Sequence, residues 1–250
     1  MALTVLVTGA TAGFGEAIAR RFIKDGHRVI ATGRRKDRLD ALHAELGDAL
    51  LPVQLDVTNQ AATAALPHSL PEAWREVDIL VNNAGLALGT ATAQTANVED
   101  WDTMIATNIS GVVRMTHALL PGMVARNRGH IVNLASTAGF YPYPGGNVYG
   151  ASKAFVTHFS LNLKADLIGT GVRVTDIEPG LVGGSEFSNV RFGDTAKANA
   201  VYAGTTPLNP GDIAETVAWV VNLPAHVNIN TIEMMPTCQA PGPLVIKRAS

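Results

Sequence analysis

The feature that most constrains this chain lies in its first 35 residues. A short apolar run with β-branched residues, Thr4–Val7, runs straight into a glycine cluster, Gly9, Gly13 and Gly15. Ala17, Ile18, Phe22 and Ile23 then place apolar side chains on one helical face, Gly26 stops that helix, and Arg28–Thr32 reads as a second strand. A strand that turns on glycine into an amphipathic helix and returns to a strand is the opening of a parallel β-α-β unit. The alternation repeats. Further strands are predicted at Leu51–Leu55, Ile79–Asn82, His130–Leu134, Arg173–Glu178 and Thr231–Met235, with helical stretches between them. The prediction is a single-domain α/β fold, a Rossmann-type doubly wound sheet of about seven parallel strands with helices on both faces.

The 250 residues would suit one large domain or two small ones, but no Pro/Ser-rich linker, charge run or internal repeat divides them, so one domain over 1–250 is expected. Hydrophobic residues at 47% and charged residues at 16% exclude a disordered chain, and a net charge of −2 argues against a polyanion such as nucleic acid as partner. Cys238 stands alone, and the seven histidines are scattered with no metal-ligand spacing, so no metal is expected. No apolar run approaches the roughly 18–20 residues of a membrane helix. The opening Met1–Ala10 lacks the basic start of a signal peptide. These readings together predict a soluble cytoplasmic protein with no membrane partner. Two regions depart from a plain doubly wound sheet: residues 180–209, a long insertion read as a lid over the substrate, and the Pro-rich tail 237–250.

Thr8-Gly9-Ala10-Thr11-Ala12-Gly13-Phe14-Gly15 sits where a strand meets a helix. Glycines there let the backbone approach a pyrophosphate whose charge is held at the helix N-terminus, although such a turn needs glycine in any case. The end of the second strand adds to this. It reads Ala31-Thr32-Gly33-Arg34-Arg35 and has no acid to take a ribose 2′-hydroxyl, whereas a guanidinium fork suits a 2′-phosphate. NADP is therefore the expected cofactor, held there by Arg34 and Arg35. Arg20, Arg21 and Lys24 are better read as a solvated basic face, offset in that stretch by Asp25 and Asp37 alone. Asp56-Val57 and Asn82-Asn83-Ala84-Gly85 close two further strands at the edge where ligands bind in such sheets.

Tyr149 and Lys153 are four apart and share a helical face, and Ser136 ends the strand before them. With the nucleotide features, these residues make the chain resemble the short-chain dehydrogenases/reductases along its whole length. The resemblance rests on Thr8–Gly15, Asn82–Gly85, Asn108, Ser136, Tyr149-x3-Lys153 and Pro179-Gly180. It implies a hydride-transfer enzyme in which Tyr149 exchanges a proton with the substrate oxygen. Lys153 favours the phenolate and holds the nicotinamide ribose, Ser136 holds the substrate oxygen, and Asn108 positions a water beside Lys153. It further implies cofactor contacts at Gly9, Thr11, Gly13, Phe14, Gly15, Arg34, Arg35, Asp56, Val57, Asn83, Ala84, Gly85, Tyr149, Lys153, Pro179, Gly180 and Val182. One departure stands out. Where many relatives carry a Thr after the Pro-Gly pair, this chain has Gly184 with Ser185 next, which leaves the carboxamide contact to Leu181, Val182 or Ser185.

The stretches Asn82–Gly89, Gly145–Phe155, Asp176–Phe192 and Leu223–Pro236 look like those of the bacterial NADP-dependent 3-hydroxy acid dehydrogenases, which act on L-allo-threonine, L-serine and 3-hydroxypropionate. A small 3-hydroxy acid needs an anion anchor, and Arg191 is the candidate, its alternative being a surface pair with Glu186 or Asp194. Tyr143, Asn147 and Gln239 are candidate lining residues alongside Ser136 and Tyr149, and Tyr141 also precedes the motif. A sulfonate would satisfy the same anchor, so a sulfoacetaldehyde reductase is the second enzyme reading. A non-catalytic NADP-binding sensor is the reading from another class. The family resemblance also implies a homotetramer packed through long helices at Trp101–Ala125 and Asn147–Ile168.

Overall fold

The computed structural model describes residues 2–242. The part of the expected tail from 243 to 250 lies outside the described residues. The elements alternate as follows: β1 (Thr4–Val7), α1 (Gly13–Lys24), β2 (Arg28–Gly33), α2 (Lys36–Leu46), β3 (Leu50–Gln54), α3 (Gln60–Ser69), β4 (Ile79–Asn82), α4 (Val98–Met104), α5 (Val112–Ala125), β5 (Gly129–Leu134), α6 (Asn147–Asp166), β6 (Val172–Pro179), α7 (Phe187–Phe192), α8 (Thr195–Tyr202), α9 (Pro210–Val221) and β7 (Thr231–Met234). The seven strands form one parallel sheet in the order β3-β2-β1-β4-β5-β6-β7.

Strand periodicity builds the two faces. Val5 and Val7 of β1 join a core with Ile18, Phe22, Leu39 and Val217, which belong to α1, α2 and α9. Leu6, between them, points the other way into a core with Leu66, Met115 and Leu163 from α3, α5 and α6. Strands buried on both faces are largely apolar, which is why β1 and β4 each carry three consecutive hydrophobic residues, Val5–Val7 and Ile79–Val81. The strand order reverses between β1 and β4, and the crevice at such a reversal is where ligands bind in open α/β sheets.

Several boundaries differ from the sequence expectation. The 180–209 segment is not an open loop, since it carries α7 and α8. Gly193, left-handed at φ 61°, ends α7, and the Asp194 side chain then caps α8 by accepting from the Ala196 and Lys197 amides. α9 begins at Pro210 rather than near Asp212, because Asn209 and Asp212 form a reciprocal capping box around Pro210. α4 and α5 are joined by a π-helical turn, Ile105–Gly111, which contains Asn108. The expected basic face is an ion-paired one. Arg20 binds Glu16 and Glu45, and Arg21 binds Asp25 and Glu215. No helix among the described residues is long and apolar enough to cross a membrane.

Candidate active site

The glycine turn between β1 and α1 is built by close approach. A Cβ on Gly15 would lie 2.3 Å from the Gly9 carbonyl oxygen and 2.5 Å from Asn83 Nδ2, so no larger residue fits. Asn83, just after β4, braces the turn, donating to the carbonyls of Thr8 at 2.8 Å and Gly9 at 3.3 Å. The Thr8 hydroxyl oxygen accepts from the amides of Asn83 and Ala84 at 2.9 Å each. The Asn82–Gly85 segment and the glycine turn are thus one unit across the crevice. At the end of β2, Arg35 donates from Nε and Nη2 to Thr11 Oγ1 at 3.2 and 3.1 Å. Arg34 beside it is exposed, its carbonyl accepting from Gln54 at 3.0 Å. Asp56 at the end of β3 has Oδ1 occupied by the amide and hydroxyl of Thr58. Val57 next to it is buried. A glycine turn that no side chain could enter, at a helix N-terminus and with guanidinium groups at the next strand end, fits a dinucleotide carrying a 2′-phosphate.

The catalytic candidates meet beyond β5 and β6. Tyr149 is 8% exposed on α6, its ring 5.7 Å from that of Phe187. Burial pushes its phenol up to about 12, with Tyr143 adding to the rise, while a hydrogen bond to Ser136 and the nearby Arg191 charge pull it down. Ser136 Oγ donates to the Pro179 carbonyl at 3.3 Å and accepts from the Ala138 amide at 3.1 Å, which fixes the serine at the strand end. Lys153, one turn after Tyr149, is buried and donates to the Leu134 carbonyl at 2.7 Å. Its Nζ lies 5.9 Å from the Tyr149 ring centroid. Burial lowers Lys153 to about 8, opposed by the Asp176 carboxylate. Asn108 is buried with both amide hydrogens engaged, on the Leu86 carbonyl at 2.8 Å and Ser152 Oγ at 3.0 Å, and it accepts from the Leu86 amide at 2.9 Å. Its side chain therefore ties the segment after β4 to α6. A Cβ on Gly85 would touch both Asn108 Oδ1 and Lys153 Nζ.

A cavity of about 410 Å³ opens over Tyr149 and Ser136, and Tyr143, Arg191, Gln239 and Val182 line it too. The Arg191 guanidinium lies over the rings of Tyr143 and Tyr149 at 5.2 and 5.6 Å, with carbonyls of Gly89 and Gly145 at 3.4 Å. The surface pairs that were its alternative do not form, because Asp194 caps α8 and Glu186 binds Arg35 and Arg38. Gln239 accepts from the Leu181 amide at 2.7 Å and so covers the Pro179-Gly180 turn. Ser185 also lines the cavity. Asn147 is a correction: it is not among the lining residues, and its amide donates instead to the Ala91 carbonyl at 3.0 Å. Sequence reasoning missed Phe187, Tyr202 and Phe192 on the cavity wall, as well as Arg38 and Glu186 near the glycine turn. No local motif marks them, since all but Arg38 come from the 180–209 segment.

A family model described as short chain dehydrogenase matches residues 3–193. The NADP-dependent 3-hydroxy acid dehydrogenase YdfG of Escherichia coli is 64% identical over 247 residues, covering 98% of this chain and all of that protein. The serine 3-dehydrogenase of Agrobacterium fabrum is 52% identical over 241 residues, 96% of each chain. Among solved structures, the closed form of a serine dehydrogenase complexed with NADP+ matches with a TM-score of 0.95 at 64% identity, over 98% of this chain and 100% of that one.

Proposed function

The chain belongs to the short-chain dehydrogenase family, and from that premise we propose that it is an NADP-dependent oxidoreductase interconverting small anionic 3-hydroxy acids of the L-allo-threonine, L-serine and 3-hydroxypropionate type with their ketones or semialdehydes. The observation that carries this reading is the cavity itself. A buried phenol lining the same cavity as Ser136 faces a guanidinium that has no carboxylate partner among the described residues.

NADP(H), when bound, supplies the hydride acceptor or donor. Everything else falls to the chain. Ser136 holds the substrate oxygen and keeps it at the Tyr149 hydroxyl. In reduction Tyr149 gives its proton to that oxygen, a role suited to a phenol whose burial favours the protonated form. In oxidation it must receive the proton as phenolate, and the two cations near its ring, Lys153 and Arg191, favour that state. Arg191 takes the substrate carboxylate in a bidentate pair, which places the hydroxyl-bearing third carbon at the phenol. Arg34 and Arg35 hold the 2′-phosphate, Asn83 keeps the pyrophosphate turn in shape, and Gly85 leaves room for a sugar beside Lys153.

We propose a homotetramer as the working form. The outward face of α6 supports it, since Ala151, Ala154, Phe155, His158, Leu161, Asn162 and Ala165 are all exposed and uncharged at neutral pH, with Asp166 the one exposed acid at the helix end.

The function is tested by NADP+ reduction with L-allo-threonine, L-serine, 3-hydroxypropionate and isethionate, each repeated with NAD+ and with Tyr149→Phe. Turnover of the carboxylates with NADP+, falling at least about 100-fold in Tyr149→Phe, is the expected result. Isethionate far ahead of the others would replace the carboxylate reading by the sulfonate one. Silence with all four would overturn the anion anchor, and a Tyr149→Phe variant as active as the wild type would overturn the mechanism.

A further inference from the structure

Glu186 comes from the lid, immediately before α7, yet its carboxylate lies at the end of β2. Oε2 accepts from Arg35 Nη1 at 2.8 Å, and Oε1 faces Arg38 Nη2 at 2.9 Å. The other nitrogens of Arg35 are engaged as well, Nε and Nη2 with Thr11 Oγ1 and Nη2 also with the Thr11 carbonyl at 3.3 Å. Arg38 Nη1 reaches the same carbonyl at 3.4 Å. Two guanidinium groups, one threonine and one carboxylate form a closed cluster. The two arginines hold the Glu186 carboxyl below its usual range, so it carries a full negative charge at neutral pH.

An acid is an unexpected neighbour for this spot. A 2′-phosphate carries nearly two negative charges and recognises the same planar fork that Glu186 engages. Every Arg35 nitrogen already bonds within the cluster and only one Nη1 hydrogen is left over, so a phosphate bound there sits beside the carboxylate and shares or exchanges donors with it, and their like charges repel at short range. The exchange runs towards the phosphate. Both ion pairs are two-fifths exposed and individually weak, whereas the phosphate brings three acceptor oxygens and more charge.

We propose that Glu186 is a specificity-determining residue that competes with the cofactor 2′-phosphate for Arg35 and Arg38. It weakens binding of dinucleotides that carry a 2′-phosphate while leaving those with a free 2′-hydroxyl untouched. Because Glu186 adjoins Phe187, which packs on Tyr149, the same carboxylate links the lid to the phosphate end of the cofactor site. The inference rests on the reading of Arg35 as a phosphate contact.

The test is calorimetric titration of the full chain with adenosine 2′,5′-bisphosphate and with 5′-ADP, in the wild type, Glu186→Gln and Arg35→Ala. Glu186→Gln is expected to bind the 2′,5′-bisphosphate about three- to tenfold tighter, the scale of one or two exposed ion pairs, with 5′-ADP unchanged. Arg35→Ala should lose affinity for the 2′,5′-bisphosphate alone. If Glu186→Gln binds that ligand equally or more weakly while Arg35→Ala loses it, Glu186 orders the arginines and the competition is overturned. If Arg35→Ala binds both ligands as the wild type does, the phosphate reading beneath the proposal fails instead.

Discussion

Arg191 is placed to do two jobs in this cavity. Its guanidinium sits 5.6 Å from the Tyr149 ring, where it lowers the phenol, and it lines the space where a substrate carboxylate would lie. Replacing it by Gln separates the two effects. Loss of a charged bidentate pair, about 1.5–3 kcal/mol, predicts a KM for the hydroxy acid raised about 10- to 150-fold. Loss of the cation raises the phenol further above its value of about 12, so the rising alkaline limb of the oxidation rate moves to higher pH. Steady-state kinetics across pH reads both, and a variant with unchanged KM and unchanged limb would remove Arg191 from the mechanism. At this scale the sequence is legible where spacing within one helix or a strand end carries the signal, as for Tyr149, Lys153 and Ser136. It is silent where partners lie 151 positions apart, as Arg35 and Glu186 do. Asn147 shows the opposite error. Nearness to Tyr149 in sequence suggested the cavity, but a two-residue step on a helix turns the side chain well away from its neighbour's direction.

The elements were readable from periodicity because a parallel sheet covered on both faces needs apolar strands, and glycine or proline punctuates them. Boundaries followed less well. The α9 start was present in the sequence as Asn209-Pro210-Gly211-Asp212, an N-cap, a proline at the first turn and an acid at the third position, yet the apolar pattern alone puts it two residues late. α7 and α8 escaped notice because helices of six and eight residues span too few turns to show a period. The π turn around Asn108 has no sequence rule, since it depends on an amide that bonds the Leu86 backbone and Ser152 at once. α6 has the opposite problem: its pattern is ambiguous because its outer face carries apolar residues as well as its inner one. Tyr149, Lys153 and Val156 face inward, while Phe155 and Leu161 stay 37% and 42% exposed on the outer face. If that face is the tetramer contact, Leu161→Glu places a charge in an apolar seam and splits the assembly. Light scattering should then read dimers or monomers of 26.2 kDa instead of four chains. A wild-type protein that is monomeric at micromolar concentration would end the proposal.

At the scale of the whole molecule, four buried residues contribute a pH dependence: Asp176, Glu178, His130 and Lys153. On β6, Asp176 and Glu178 both face Thr157, whose hydroxyl lies 2.7 Å from one carboxyl and 3.0 Å from the other. One hydroxyl hydrogen cannot serve two acceptors, so the second contact needs a proton on the pair. Burial and mutual repulsion push Glu178 up to about 8 and raise Asp176 as well. On β5, His130 is fully buried with Nε2 at 2.8 Å from Thr175 Oγ1. The Thr175 hydrogen goes to the Ile229 carbonyl, so Nε2 is the donor, and Nδ1 has no partner to accept a second proton's bond. Burial lowers this imidazole to about 3. Lys153 completes the set at about 8. The signs then differ. Glu178 holds its proton more tightly folded than unfolded, so stability is lost as pH rises from its unfolded value near 4.5 to about 8. His130 takes a proton more readily when unfolded, so stability is lost as pH falls from about 6.5 towards 3. Lys153 releases its proton more readily folded, so stability returns as pH rises from about 8 towards 10.5. Each proton contributes at most about 1.4 kcal/mol per pH unit. Between 4.5 and 6.5 the first two oppose each other, between 6.5 and 8 the carboxyl pair acts alone, and above 8 Lys153 reverses the slope. Denaturant unfolding across this range should therefore show a plateau on the acid side and a minimum near pH 8. Glu178→Gln, which keeps the shape and removes the charge, should flatten the fall between 6.5 and 8 while leaving the alkaline rise in place. A wild-type curve that rises steadily through that interval, or a variant with the same minimum, would show that the buried carboxyl pair does not govern it.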